Sequence, residues 1–201
     1  MNKHLLSLFA SNLIVDFVEE DTSELNVGDY EFHDNGKGDE GQGNGSKDLF
    51  ILKRYPRVEQ ILIDKFKDYN KEVLKSSNEY RITTSWFTQI KKGDITAYHN
   101  HKNSFYSGVY YFDEYDHESG VISFLNPLKD LQDFTIRYEG DSIHNSIEWN
   151  IPPKKNLLLL FPSYLYHRVK NNISNNNRYS LAFNIVPIGE YGVGDSTYTI
   201  F

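Results

Sequence analysis

The stretch NLLLLFP, residues 156–162, sets large apolar residues side by side with no polar residue alternating among them. A half-buried strand alternates, because successive side chains point to opposite faces of a sheet. An unbroken apolar run of this length, closed by proline, therefore reads as a strand covered on both faces. Its surroundings use the same vocabulary. RITTSWFTQI (81–90), YSGVYYF (106–112), GVISFLNP (120–127), FTIRYE (134–139), SIEWNIP (146–152) and RYSLAFNIVPI (178–188) are short and rich in β-branched and aromatic residues. Gly, Asn, Asp or Pro separates them, and so many short strands with turn signals predict a β-sandwich or barrel.

Residues 57–75 depart from this pattern. Val58, Ile61, Leu62, Phe66, Tyr69 and Val73 recur at helical spacing, which predicts one amphipathic helix packed on the outside of a sheet. Further upstream, residues 5–18 alternate loosely and suit an N-terminal edge strand. Residues 33–48, HDNGKGDEGQGNGSKD, mix five glycines with Asp, Asn and Ser and read as a flexible loop. No GK[ST] follows and no strand leads into it, so a phosphate loop is disfavoured. With no internal repeat and no long linker, a single domain over residues 1–201 is expected, with its core at about 80–190.

Composition narrows the chemistry. The chain has 201 residues, a formal charge of −7 and no cysteine. Disulfides, thiolate zinc sites and cysteine nucleophiles are excluded together, so any metal must have nitrogen or oxygen ligands. The negative charge argues against a nucleic-acid partner. No apolar run reaches the roughly 20 residues of a membrane helix. Ser11, Asn12 and Asp16 interrupt the apolar start, so no leader is read there and a cytoplasmic location is expected.

Seven histidines are present, and two of them, His99 and His101, stand two apart just before YSGVYYF. On an extended strand these share a face and can act on one object. A metal pair and two surface histidines beside a turn read alike at this point. His167 follows the apolar strand in FPSYLYH, and Arg178 opens RYSLAFN. His117 and His144 lie in polar, loop-like contexts, and the acidic run Asp113, Glu114, Asp116 and Glu118 suits a solvated hairpin end. Asn184 either lines a pocket or satisfies a neighbouring backbone group.

Taken in order, HNH (99–101), SGVYY (107–111), FPSYLYH ending at His167, and Arg178-Tyr179-Ser180-Leu181-Ala182-Phe183-Asn184 resemble the iron(II)- and 2-oxoglutarate-dependent oxygenases. The similarity is greatest to an oxygenase group found in phage and marine bacteria. It covers roughly residues 80–190 and implies a mainly β double-stranded β-helix (jelly roll) with one flanking helix. It also implies Fe(II) held by His99, His101 and His167, and 2-oxoglutarate bound by Arg178, with Ser180 and Tyr111 beside its carboxylate. Tyr111 resembles a tyrosine of the related prolyl hydroxylases, which points to a small-molecule or peptide substrate, either peptidyl or a free amino acid. The expected activity couples decarboxylation of 2-oxoglutarate to hydroxylation of that substrate, by a monomer or homodimer.

The sequence departs from the usual pattern at one place: position 101 is histidine where the second ligand is ordinarily a carboxylate. Asp94, Asp113 or Glu114 are the alternative donors. Two other readings fit the same residues. One is a non-catalytic jelly-roll binding module. The other is a cupin-like three-histidine dioxygenase that binds its substrate on the metal and uses no 2-oxoglutarate.

Overall fold

A computed structural model describes residues 11–33, 42–129 and 136–200. The architecture is mainly β: two antiparallel sheets face one another in a jelly roll, and one helix covers the outside of the larger. The large sheet runs β1 (Ile14–Phe17), β7 (Leu157–Pro162), β4 (Tyr106–Tyr110), β9 (Arg178–Tyr191), β3 (Glu79–Ile90) and β2 (Asn44–Gly45). β10 (Tyr198–Ile200) adds to the far end of β9. The small sheet runs β6 (Glu148–Ile151), β5 (Ile122–Leu125) and β8 (His167–Val169). Among the described residues, no helix is long and apolar enough to cross a membrane.

β7 shows why its sequence does not alternate. Leu158 and Leu160 point into the cluster under helix α1 (Pro56–Tyr69), while Leu157, Leu159 and Phe161 point between the two sheets. Both faces are dry, and all of these side chains are buried. Helix α1 seats Val58, Leu62, Ile63 and Phe66 on Tyr80, Ile82, Tyr106, Phe183 and Ile185 of the sheet. Pro56 at its first position loses no hydrogen bond, because that amide has no partner inside the helix.

The expected helix ends sooner than residue 75. A single wide turn over Asn70–Leu74, closed by Lys75 N–H to Asn70 O, shifts the apolar stripe by one position. Val73 is consequently exposed and Leu74 packs inward instead. The expected strand at 134–139 does not form over its described residues 136–139, where Ile136 and Tyr138 are exposed; residues 134 and 135 lie outside the described residues. Of the expected first strand, residues 5–10 also lie outside them and β1 occupies 14–17. The Gly-rich stretch is described only at 33 and from 42 onward, and there Asn44 and Gly45 pair with Gln89 and Thr88 as β2. Gly43 permits this approach, since a Cβ there would lie 2.1 Å from Ile90 Cδ1.

A close approach of the same kind ties two motifs together. Gly108 of SGVYY pairs with Phe183 of the Phe-Asn motif, whose ring lies across the glycine at 2.2 Å from where a Cβ would stand.

Candidate metal centre

The segment before β4 runs beside β8. His99 and His167 exchange both backbone hydrogen bonds, His99 N–H to His167 O (3.0 Å) and His167 N–H to His99 O (2.9 Å). Two residues later, His101 N–H donates to Ser163 O (3.0 Å). The strand grammar of the sequence thus brings all three histidines to one point between the sheets. One ring nitrogen from each lies within 4.8 Å of the others, and no carboxylate joins this group among the described residues.

Two of the rings are fixed in one useful orientation. His99 Nδ1 lies 2.9 Å from Ala97 O, and His167 Nδ1 lies 3.0 Å from Leu165 O. A carbonyl only accepts, so each Nδ1 carries a proton, and in the neutral ring the lone pair falls on Nε2. Phe161 and Phe124 pack on the His167 ring at 4.8 and 5.8 Å. Burial, reinforced by His99, lowers the His167 pKa to about 3, and the same causes lower that of His101 to about 4. Both rings therefore stay neutral and able to donate at ordinary pH. Nε2 of His101 and Nε2 of His167 are 3.3 Å apart, and the rings stack at 5.1 Å. Three nitrogen donors from two adjacent chain segments suit a divalent first-row metal.

The alternative carboxylates are engaged elsewhere. Asp94 accepts Lys91 N–H (3.0 Å), Asp113 accepts Glu114 N–H (2.8 Å), and Glu114 pairs with Lys155 at the surface.

Arg178, Ser180 and Tyr111 form a second group. The Arg178 guanidinium is 1% exposed. One terminal nitrogen donates to Tyr111 Oη (2.8 Å), the other lies 3.4 Å from Ser180 Oγ, and Cζ sits 5.0 Å from the Tyr111 ring centre. Nε is buried with no partner, and no carboxylate pairs with this cation among the described residues. Burial raises the Tyr111 pKa while Arg178 pulls it back, so the phenol stays neutral and is no counter-ion. A buried, unneutralised guanidinium costs several kcal/mol, and the chemistry that relieves it is an anion, such as a carboxylate.

Two residues missed in the sequence join the groups. Trp86 packs against His101 at 5.6 Å, and Thr88 hydrogen-bonds Ser180. They are neighbours on one face of β3, about 7 Å of strand apart. The alternation of RITTSWFTQI placed Thr84, Trp86 and Thr88 together, but only the pairing of β3 with β9, Trp86 opposite Ala182 and Thr88 opposite Ser180, aims them at the site.

Residues 84–184, half of the chain, match a family model described as "Putative 2OG-Fe(II) oxygenase". No match was found among curated proteins. Solved structures share the fold. The carbocyclase SnoK from nogalamycin biosynthesis is 11% identical, with 87% of this chain and 79% of that one covered and a TM-score of 0.60. HygX from Streptomyces hygroscopicus, solved with nickel, 2-oxoglutarate and hygromycin B, is 12% identical over 88% and 83%, at 0.57. An oxidoreductase of the 2OG-Fe(II) oxygenase family from Burkholderia pseudomallei is 11% identical over 72% and 68%, at 0.52.

Proposed function

The chain belongs to the 2OG-Fe(II) oxygenase family, and from that premise we propose that His99, His101 and His167 hold ferrous iron while Arg178, Tyr111 and Ser180 bind 2-oxoglutarate. When bound, the iron supplies the redox chemistry by which 2-oxoglutarate and oxygen become succinate and carbon dioxide as one oxygen atom enters a C–H bond of the substrate. The protein's own part is positional. His99 and His167 are held with Nε2 toward the metal by their Nδ1 contacts. Arg178 binds the distal carboxylate with Nε as its free donor, beside Tyr111 Oη on one terminal nitrogen. Phe124 and Phe161 shield the His167 ring from water, and Trp86 covers one side of His101.

The observation that carries this reading is the unpaired Nε of buried Arg178, which Ser180, Thr88 and Trp86 link along one sheet face to three converging histidines. The substrate is a small molecule or peptide, and the chain works as a single domain. The test is succinate formation from 2-oxoglutarate under air with ferrous iron. Uncoupled turnover in the wild type, lost in Arg178→Met, is the expected result; no succinate from iron-loaded wild type would contradict it. A second reading is favoured by the all-imidazole donor set: a metal dioxygenase that binds substrate directly, with Arg178 as the substrate's carboxylate anchor. It predicts metal-dependent oxygen consumption without succinate.

A further inference from the structure

Three residues of the conspicuous motifs have no part in the ligand sets: Ser107 of SGVYY, Ser163 of FPSYLYH and Asn184 of the Phe-Asn pair. In the fold they touch one another. Ser107 donates to Asn184 Oδ1 (2.9 Å), and Asn184 Nδ2 donates to Thr84 Oγ1 (3.0 Å). Ser163 Oγ lies 2.8 Å from Ser107 Oγ and 3.0 Å from Ser104 Oγ, while Ser104 donates to Tyr106 O (2.9 Å). With its single proton on Asn184, Ser107 is an acceptor toward Ser163, so Ser163 shares one proton between two serines. The chain crosses β3, β9 and β4 and reaches the end of β7, and Ser107 and Ser163 are 1% exposed.

This chain ends on the peptide that holds the third histidine. Ser163 O accepts His101 N–H (3.0 Å), and Ser163 N–H donates to Phe105 O (3.1 Å), closing both ends of the loop that carries His101. His101 needs this support more than the other two. His99 and His167 are each fixed by a reciprocal backbone bridge and a ring-to-carbonyl bond. Among the described residues the His101 ring has neither: its ring hydrogen bond is to His167, and Trp86 packs on one side. Its placement is therefore set by its main chain.

We propose that Asn184, Ser107 and Ser163 are positioning residues that hold the His101 loop, acting on His101 and leaving His99 and His167 untouched. The inference rests on the reading of His101 as a metal ligand. An amide at 184 suits this task because it must accept from Ser107 and donate to Thr84 at once; neither a hydroxyl nor a carboxylate does both at those two distances.

The test loads the protein with cobalt(II) and follows the hyperfine-shifted imidazole proton signals and the cobalt affinity, with His101→Ala assigning the His101 set. In Asn184→Leu and in Ser163→Ala, the His101 signals should shift or broaden while those of His99 and His167 keep their positions. Affinity should fall about tenfold, as for loss of other outer-shell support. Ser163→Ala removes one atom and carries the test if Asn184→Leu does not fold. Wild-type signals and affinity in the variants would overturn the proposal, as would equal movement of all three histidines, which marks a general loosening. If His101→Ala instead keeps every wild-type signal, the ligand reading falls, and this inference with it.

Discussion

Arg178 is a buried cation whose chemistry the described residues leave unsatisfied. Among the described residues its guanidinium hydrogen-bonds a phenol and a hydroxyl and leaves Nε without a partner. A guanidinium kept for stability would have a carboxylate; one kept for a ligand costs stability until the ligand arrives. Arg178→Met should therefore leave the ligand-free protein as stable as wild type or more so, while 2-oxoglutarate affinity falls at least ~100-fold, in line with losing a bidentate charged contact. Thermal melts with and without 2-oxoglutarate check both halves; a large loss of stability in the ligand-free variant would make Arg178 a structural residue. The choice of donor at position 101 belongs to the same scale, and among the described residues no carboxylate joins the three histidines. The sequence alone left Asp94, Asp113 and Glu114 open as donors, because a strand pattern says nothing about which loops return to a point. The fold engages all three elsewhere.

At the scale of elements, packing explains what the motifs look like. The glycine of SGVYY is required by the ring of Phe183 on the neighbouring strand. Gly108→Ala should destabilise the protein by about 1–3 kcal/mol, as overpacking does, and Phe183→Leu in the same chain should recover part of it; denaturant unfolding of the single and double variants is the measure. On the small sheet, Lys170 and then Tyr98 hold the Glu148 carboxylate at about 2, well below its ordinary 4.5, with Ser123 and Arg168 also on it. The folded state then binds fewer protons than the unfolded chain across that interval. Its contribution is complete above pH 4.5 and is lost as pH falls toward 2. Glu148→Gln should flatten the stability–pH curve in that window, and an unchanged slope would remove Glu148 from the account. The strands that carry large apolar or β-branched residues, β3, β4, β5, β7 and β9, were legible in the sequence. β8, β10 and β2 were not, because three or two residues held by pairing with a longer neighbour leave no periodic signal. The helix was legible except where one wide turn exchanged Val73 for Leu74, a change of hydrogen bonding that leaves no mark in spacing.

Over the whole molecule, two sheets with different duties meet at the histidines. The large sheet carries the core on both faces, the helix seals its outer side, and the small sheet contributes His167 with Phe124 behind it. The sequence gathered the ligand-type residues by motif and order. What it left unread were the neighbours brought by register: Trp86, Thr88 and the Ser107–Ser163–Asn184 chain, which depend on strands far apart in sequence. The account's central claim joins the two groups of residues into one site. Its most direct test is anaerobic titration of the ferrous protein with 2-oxoglutarate, followed by visible absorption. The account predicts a metal-to-ligand charge-transfer band that saturates at one equivalent in the wild type, is absent in His167→Ala, and needs far more 2-oxoglutarate in Arg178→Met. Stoichiometric iron with no such band in the wild type, or an unaltered band in His167→Ala, would contradict it.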